Sequence, residues 1–259
     1  MNISSQKNRS SKRKGRSDTA GVTDPNACVM PEDPVNDFEW KVSLSRKKEP
    51  LRREFRKYVE GNFLKHPLLV IHINVEYAAW ENWAIDHNQQ LQEKYRKEGK
   101  WFNVMLLYRT ASVLHGFCEE LEYFDDETYW EMLGYVWTEQ ESSWPNRKLY
   151  LILFEWPRPK REKLMDEKEH QEFAKLPDMV NVYRGYMGRR RQSLSWTTDK
   201  DKAIWFANRF AVLKDELGPP CLLSGVANKA DILGFFTRRN ESDAVIDPAK
   251  VKQQKKTEL

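Results

Sequence analysis

Apolar positions change their period partway along the chain. From residue 37 to 178 they recur mostly at helical spacing, which predicts a mainly helical region. The stretch "EPLRREFRKYVEGNF" is charged and amphipathic in the helical manner. "VEYAAWENWAIDHNQQLQEKYRKEGK" sets Tyr77, Trp80, Trp83 and Ala84 at helical spacing, then turns polar and stops at Gly99. "WFNVMLLYRTASVLHGFCEELEYF" reads as one buried helix. "DDETYWEMLGYVWTEQESSW" opens on acids suited to capping a helix N-terminus. "PRPKREKLMDEKEHQEFAKLPD" predicts a charged linker and a short helix stopped at Pro177.

After residue 178 the pattern alternates. In "MVNVYRGY", Val180, Val182 and Arg184 share one face of a strand, with Asn181 and Tyr183 on the other. "SLSWTT" alternates too, with Ser195 and Thr197 opposite Trp196. A helix follows in "DKDKAIWFANRFAVLKDELG": Thr198 or Asp199 can cap it, and Ala203, Phe206, Ala207 and Phe210 form its apolar face. Gly218 can end it. "CLLSGVA", "DILGFF" and "DAVID" are further strands, the last two flanking the polar hairpin connection "TRRNES". The polar tail at 252–259 carries no apolar pattern and is expected to fray.

Composition narrows the class. Apolar residues make up 40% of the chain and ten are tryptophan, enough for a packed core. Cys28, Cys118 and Cys221 are scattered, which points to a reducing, cytoplasmic compartment rather than a disulfide framework. The histidines form no zinc-binding spacing, so no metal is expected. The longest apolar runs, such as "PLLVIHINV", are too short to span a bilayer, and no membrane partner is expected. The N-terminus lacks the apolar stretch of a secretory leader. Residues 1–20 hold six Lys/Arg and one acid, whereas the net charge of the whole chain is only +4. Basicity is therefore concentrated in an arm and Pro-containing linker at 1–36, and the body is near neutral. The composition of the arm predicts disorder. It suits a weak contact with nucleic acid or another polyanion, or a plain solvated tail.

Three short pieces stand in order along residues 179–251: Tyr183-Arg184-Gly185, then Ser195-Trp196-Thr197 leading into "AIWFANRF", then Glu241-Ser242-Asp243 followed by "AVIDP". Singly each has a bland reading: an edge arginine, a serine cap, a solvated acidic turn. Together they resemble the mono-ADP-ribosyltransferase superfamily of the Arg-Ser-Glu type. The resemblance covers a little over a quarter of the chain. It implies an α+β fold in which a mainly helical region, 37–178, packs on a split β-sheet core around an NAD cleft. It also implies transfer of ADP-ribose from NAD, as substrate, to a macromolecular acceptor. That acceptor would be a protein side chain such as arginine, and nicotinamide would be released.

The chemistry explains the residue types. Breaking the ribose–nicotinamide bond passes through an oxocarbenium-like cation that a carboxylate stabilises. A fixed guanidinium suits a pyrophosphate. The resemblance therefore gives Arg184 the dinucleotide and Ser195 the support of the carboxylate. Tyr183, Gly185 and Thr197 join Arg184 and Ser195 in the NAD site, with Gly185 letting backbone approach the nicotinamide amide. Tyr183, Tyr186 and Trp196 offer rings for stacking or for the core. In the acidic pair, the first position orients the acceptor and the second holds the ribose 2′-hydroxyl. Here these are Glu241 and Asp243, so an aspartate stands where the family keeps a glutamate. The retreat is on the order of 1 Å, a misplacement that can cost about 10²-fold in rate. Glu241 could take over the ribose. The alternatives are an NAD-binding or NAD-hydrolysing relative without transfer, and a non-enzymatic interaction protein that contacts nucleic acid through the arm.

Overall fold

The computed structural model describes residues 37–188, 192–238 and 241–259. The basic arm and linker at 1–36, with the polyanion contact expected of it, lie outside the described residues. So do Arg239 and Asn240 of the "TRRNES" connection.

The architecture is α+β. Helix α1 (Phe38–Arg46) begins where the Asp37 carboxylate accepts the Trp40 amide at 2.8 Å. It leans on α2 (Ala79–Lys97) through an edge-on contact of Trp40 with Trp83, ring centroids 4.7 Å apart. The helix suggested by "EPLRREFRKYVEGNF" does not form. A 3-10 turn at Arg53–Tyr58 leads instead into a meander of β1 (Val59–Glu60), β2 (Phe63–His66) and β3 (Leu69–His72). The local turn outweighs the amphipathic spacing: Glu60 pairs with Phe63 across Gly61-Asn62, and Gly61 takes a φ of +57°, at home in a two-residue hairpin. The meander then buries Leu64 and Leu69 with Leu51, Phe55 and Ile85. Helix α2 ends before Gly99, as its pattern predicts.

The long buried helix expected over residues 101–124 is two: α3 (Trp101–Leu107) and α4 (Val113–Glu120). The break at Tyr108 lets its ring lie against Gly116, where a β-carbon would sit 2.5 Å from the ring. Helix α5 (Asp126–Glu139) starts on the Asp125 cap, which accepts the Thr128 amide at 2.8 Å. Helices α6 (Arg147–Phe154) and α7 (Glu167–Ala174) follow, α7 opened by a capping box between Asp166 and Glu169.

The second part is one antiparallel sheet in the order β7-β8-β5-β4-β6-β9. Its strands are β4 (Met179–Met187), β5 (Ser195–Thr197), β6 (Pro220–Asn228), β7 (Ile232–Phe236), β8 (Asp243–Ile246) and β9 (Lys252–Glu258). It falls into two triplets, β7-β8-β5 and β4-β6-β9, joined among the described residues by the single pair Tyr183 and Thr197. The tail does not fray: residues 252–258 form β9 along the edge of β6. Every β9 side chain is exposed, so the strand is held by backbone pairing with β6 and by the Gln254 amide, which donates to the Pro248 and Val251 carbonyls at 2.8 and 3.0 Å, and no apolar pattern announces it. Helix α8 (Lys200–Asn208) is capped by Asp199, which accepts the amides of Asp201 and Lys202 at 2.9 and 3.0 Å. It stops ten residues short of Gly218. That glycine, at φ +88°, instead ends a separate short turn, α9 (Lys214–Leu217).

The helical part and the sheet share a core. Trp130, Leu133, Trp137, Tyr150 and Phe154 form one apolar cluster with Leu194, Phe236 and Val245. The other side of the sheet packs Val180, Val182, Trp196, Leu223 and Ile246 together. No described helix is long and apolar enough to cross a membrane.

Candidate functional site

The sheet splits where its two triplets meet. Extending the register of β4 and β5 by two residues from the Tyr183–Thr197 pair would put Gly185 opposite Ser195. The ladder stops before that. The Ser195 carbonyl is taken instead by the Arg184 guanidinium, whose Nη1 donates to it at 2.6 Å. Arginine thus bridges the two triplets by side chain where backbone pairing ends.

A cleft of about 450 Å³ opens along this split, a size usual for small-molecule sites. Arg184, Ser195, Glu241 and Asp243 all line it, and so do Tyr183, Gly185 and Thr197. The structure therefore gathers every site residue expected from the sequence into one cavity.

Ser195 and Asp243 are bonded. β5 and β8 are antiparallel neighbours, with Thr197 opposite Asp243 and Ser195 opposite Val245. Side chains of paired residues rise on the same face. The Ser195 hydroxyl consequently lies diagonally from the Asp243 carboxylate and donates to Oδ1 at 2.8 Å. The other oxygen, Oδ2, accepts the indole N–H of Trp137 at 2.7 Å. Trp137 lies on α5, over a hundred residues upstream. It is only 4% exposed and is held edge-on by Tyr150 and Phe154 at centroid distances of 5.1 and 5.2 Å.

Burial pushes the Asp243 carboxyl up from its ordinary 3.8 to about 6. The two donated hydrogen bonds oppose the shift, the Glu241 charge adds to it, and the Arg184 charge opposes it. A carboxyl group in a cleft, displaced this far and held by defined donors, is a candidate for chemistry.

The connection carrying Glu241 and Asp243 is anchored from beneath. Glu169 of α7 is fully buried. It accepts the Thr237 amide and an Arg238 guanidinium N–H, each at 3.1 Å, and the Asp166 amide at 3.0 Å.

Two expected NAD contacts have structural duties. Gly185 is glycine because α8 lies directly on β4: a β-carbon there would stand 1.8 Å from the Ala203 carbonyl oxygen and 2.6 Å from the Ala207 nitrogen. Close helix–strand packing thus accounts for this glycine. The Thr197 hydroxyl accepts the Asp199 amide at 3.1 Å and helps to start α8. Of the three aromatics, Trp196 is 1% exposed and Tyr186 6%, both in the sheet core. Tyr183 is half-buried, and all three border the cleft.

Sequence patterns missed three features of the site. Trp137 reads as one more apolar position of α5, and only the fold brings it to Asp243. Phe206 and Arg209, at and just beyond the end of α8, also line the cleft. So do Glu139, the last residue of α5, and the segment after it, with Glu141 and Ser143. Ser143 meets Ser193 in a buried hydroxyl pair at 3.1 Å, which ties that segment to the approach to β5. No protein-family model, curated protein or solved structure matches the chain.

Proposed function

We propose that the cleft binds NAD and transfers its ADP-ribose to a macromolecular acceptor, a protein side chain. One observation carries the reading. Three separate sequence pieces, chosen for their resemblance to Arg-Ser-Glu transferases, bring Arg184, Ser195, Glu241 and Asp243 into one cleft, with the Ser195 hydroxyl bonded to the Asp243 carboxylate. The split between β5 and β4 and the placement of Arg184 beside it also fit a sheet opened around a dinucleotide.

In this reading Arg184 attracts the pyrophosphate with a permanent charge. Asp243, ionised, faces the ribose. Each of its oxygens keeps a lone-pair direction beyond the bond from Ser195 or Trp137, so it can still accept the 2′-hydroxyl. The C1′–N bond of the ribose breaks and its electron pair leaves with nicotinamide, which departs neutral. Positive charge develops on C1′ and the ring oxygen and is stabilised by the carboxylate. An acceptor atom then bonds to C1′ and gives up its proton, with Glu241 placed to orient it and take that proton. If water is the acceptor, the product is free ADP-ribose.

The test is incubation with NAD labelled in its adenylate phosphate, a cell lysate supplying acceptors. Label should enter protein, and Arg184→Ala should abolish the transfer while remaining folded. Label found only in free ADP-ribose would reduce the protein to an NAD hydrolase. Equal labelling by the variant would overturn the assignment of Arg184.

A further inference from the structure

We propose that Trp137 is a positioning residue matched to aspartate at position 243, its indole N–H fixing the short carboxylate from across the cleft. This rests on the transferase reading of the same site and adds to it a residue from outside the resembling segment.

Reach separates an aspartate from a glutamate. An aspartate has one rotatable bond fewer than a glutamate and ends about one methylene nearer its backbone. It cannot search for its substrate, so its position must be set by its surroundings. Two donors set it here. Ser195 belongs to the neighbouring strand and fixes Oδ1 at 2.8 Å. Trp137 reaches Oδ2 at 2.7 Å from a different layer of the fold. A carboxylate held at both oxygens from two directions has little freedom left. The indole has little as well: it is 4% exposed and wedged edge-on between Tyr150 and Phe154. A tryptophan N–H is only ever a donor, so it favours the ionised carboxylate at any pH. A glutamate at 243 would carry its carboxylate past this donor. The indole and the shorter side chain therefore belong together.

The charges around the pair are mixed. Glu241 precedes Asp243 on the same connection, and Arg184 approaches from β4. Glu139 and Glu141 line the cleft at the end of α5. Arg238 and Arg209 line it near the ends of β7 and α8. Moving the Asp243 titration without changing any of these charges isolates the indole.

The test is Trp137→Phe, which keeps an aromatic ring between Tyr150 and Phe154 and deletes the donor together with the indole's second ring. The Asp243 carboxyl, followed by carbon NMR, should titrate near pH 6 in the parent and clearly higher in the variant. Nicotinamide release should lose about 10- to 10²-fold in kcat, with KM for NAD little changed and the acid limb of the pH profile moving with the NMR midpoint. Asp243→Glu in the parent should lower kcat rather than raise it. Should Trp137→Phe fail to fold, the indole N–H resonance of the parent serves instead: it should titrate with the Asp243 midpoint and stop doing so in Asp243→Asn. An unchanged midpoint, or an indole that ignores the titration, overturns the positioning role. A shifted midpoint in a protein that never releases nicotinamide keeps the indole–carboxylate pair and removes the transferase reading.

Discussion

Asp243 holds its charge against its surroundings, and that has a sign that can be measured. Its carboxyl is raised in the folded protein from 3.8 to about 6, so the folded state binds the proton more tightly than the unfolded chain. The contribution to stability is present below pH 4 and is lost as pH rises through 6. Asp243→Asn removes that burden at neutral pH. An amide can still serve both neighbours, its oxygen accepting the Trp137 N–H and its nitrogen donating to a rotated Ser195 hydroxyl. The variant should therefore melt higher than the parent at pH 8, by about 5 °C, and the difference should vanish near pH 4 in a calorimetric series. Ser195→Ala should do the reverse to the site: it removes a donor to the ionised form, lifts the Asp243 midpoint, and shifts any activity toward higher pH. At this scale the strand residues of the site were legible through the resemblance of three ordered pieces to the Arg-Ser-Glu transferases. Trp137 was not, since an indole inside an amphipathic helix reads the same whether it fills a core or meets a carboxylate.

The elements that hold the cleft have their own weak points. Helix α8 rests on β4 through Gly185, and the atoms a methyl group would meet are backbone. Gly185→Ala should cost about 3 kcal/mol, read from denaturant unfolding, because neither helix nor strand can yield locally. Under the β7–β8 connection, Glu169 satisfies three donors at once. Glu169→Ala leaves them short of an acceptor and should cost roughly 1–3 kcal/mol, with faster hydrogen exchange at the amide of Thr237. The strand–helix–strand order of 179–251 could be read from period and caps. The meander at 59–72 could not: its charged residues mimic a helical face, and the two-residue turn at Gly61-Asn62 settled the competition locally. Strand β9 escaped for a different reason, because an edge strand exposed on both faces needs no hydrophobic alternation.

As a whole molecule, the sheet does not close its core alone. Leu194, Phe236 and Val245 bury against helices α3 to α6, and the carboxylate at 243 is held by α5. A fragment of residues 179–251 should therefore stay unfolded by circular dichroism, whereas residues 37–259 should melt in one cooperative step. The helical region supplies Trp137, Glu139 and Glu141 to the cleft as well as its support, and these lie outside the segment that resembles the transferases. The transferase assignment is tested most directly by nicotinamide release from NAD by the purified protein in the presence of a lysate acceptor, measured from pH 5 to 8. Release should rise through pH 6 as Asp243 ionises and should be lost in Arg184→Ala and Asp243→Asn, both folded. Absence of release across that range, or release indifferent to both substitutions, would contradict that assignment.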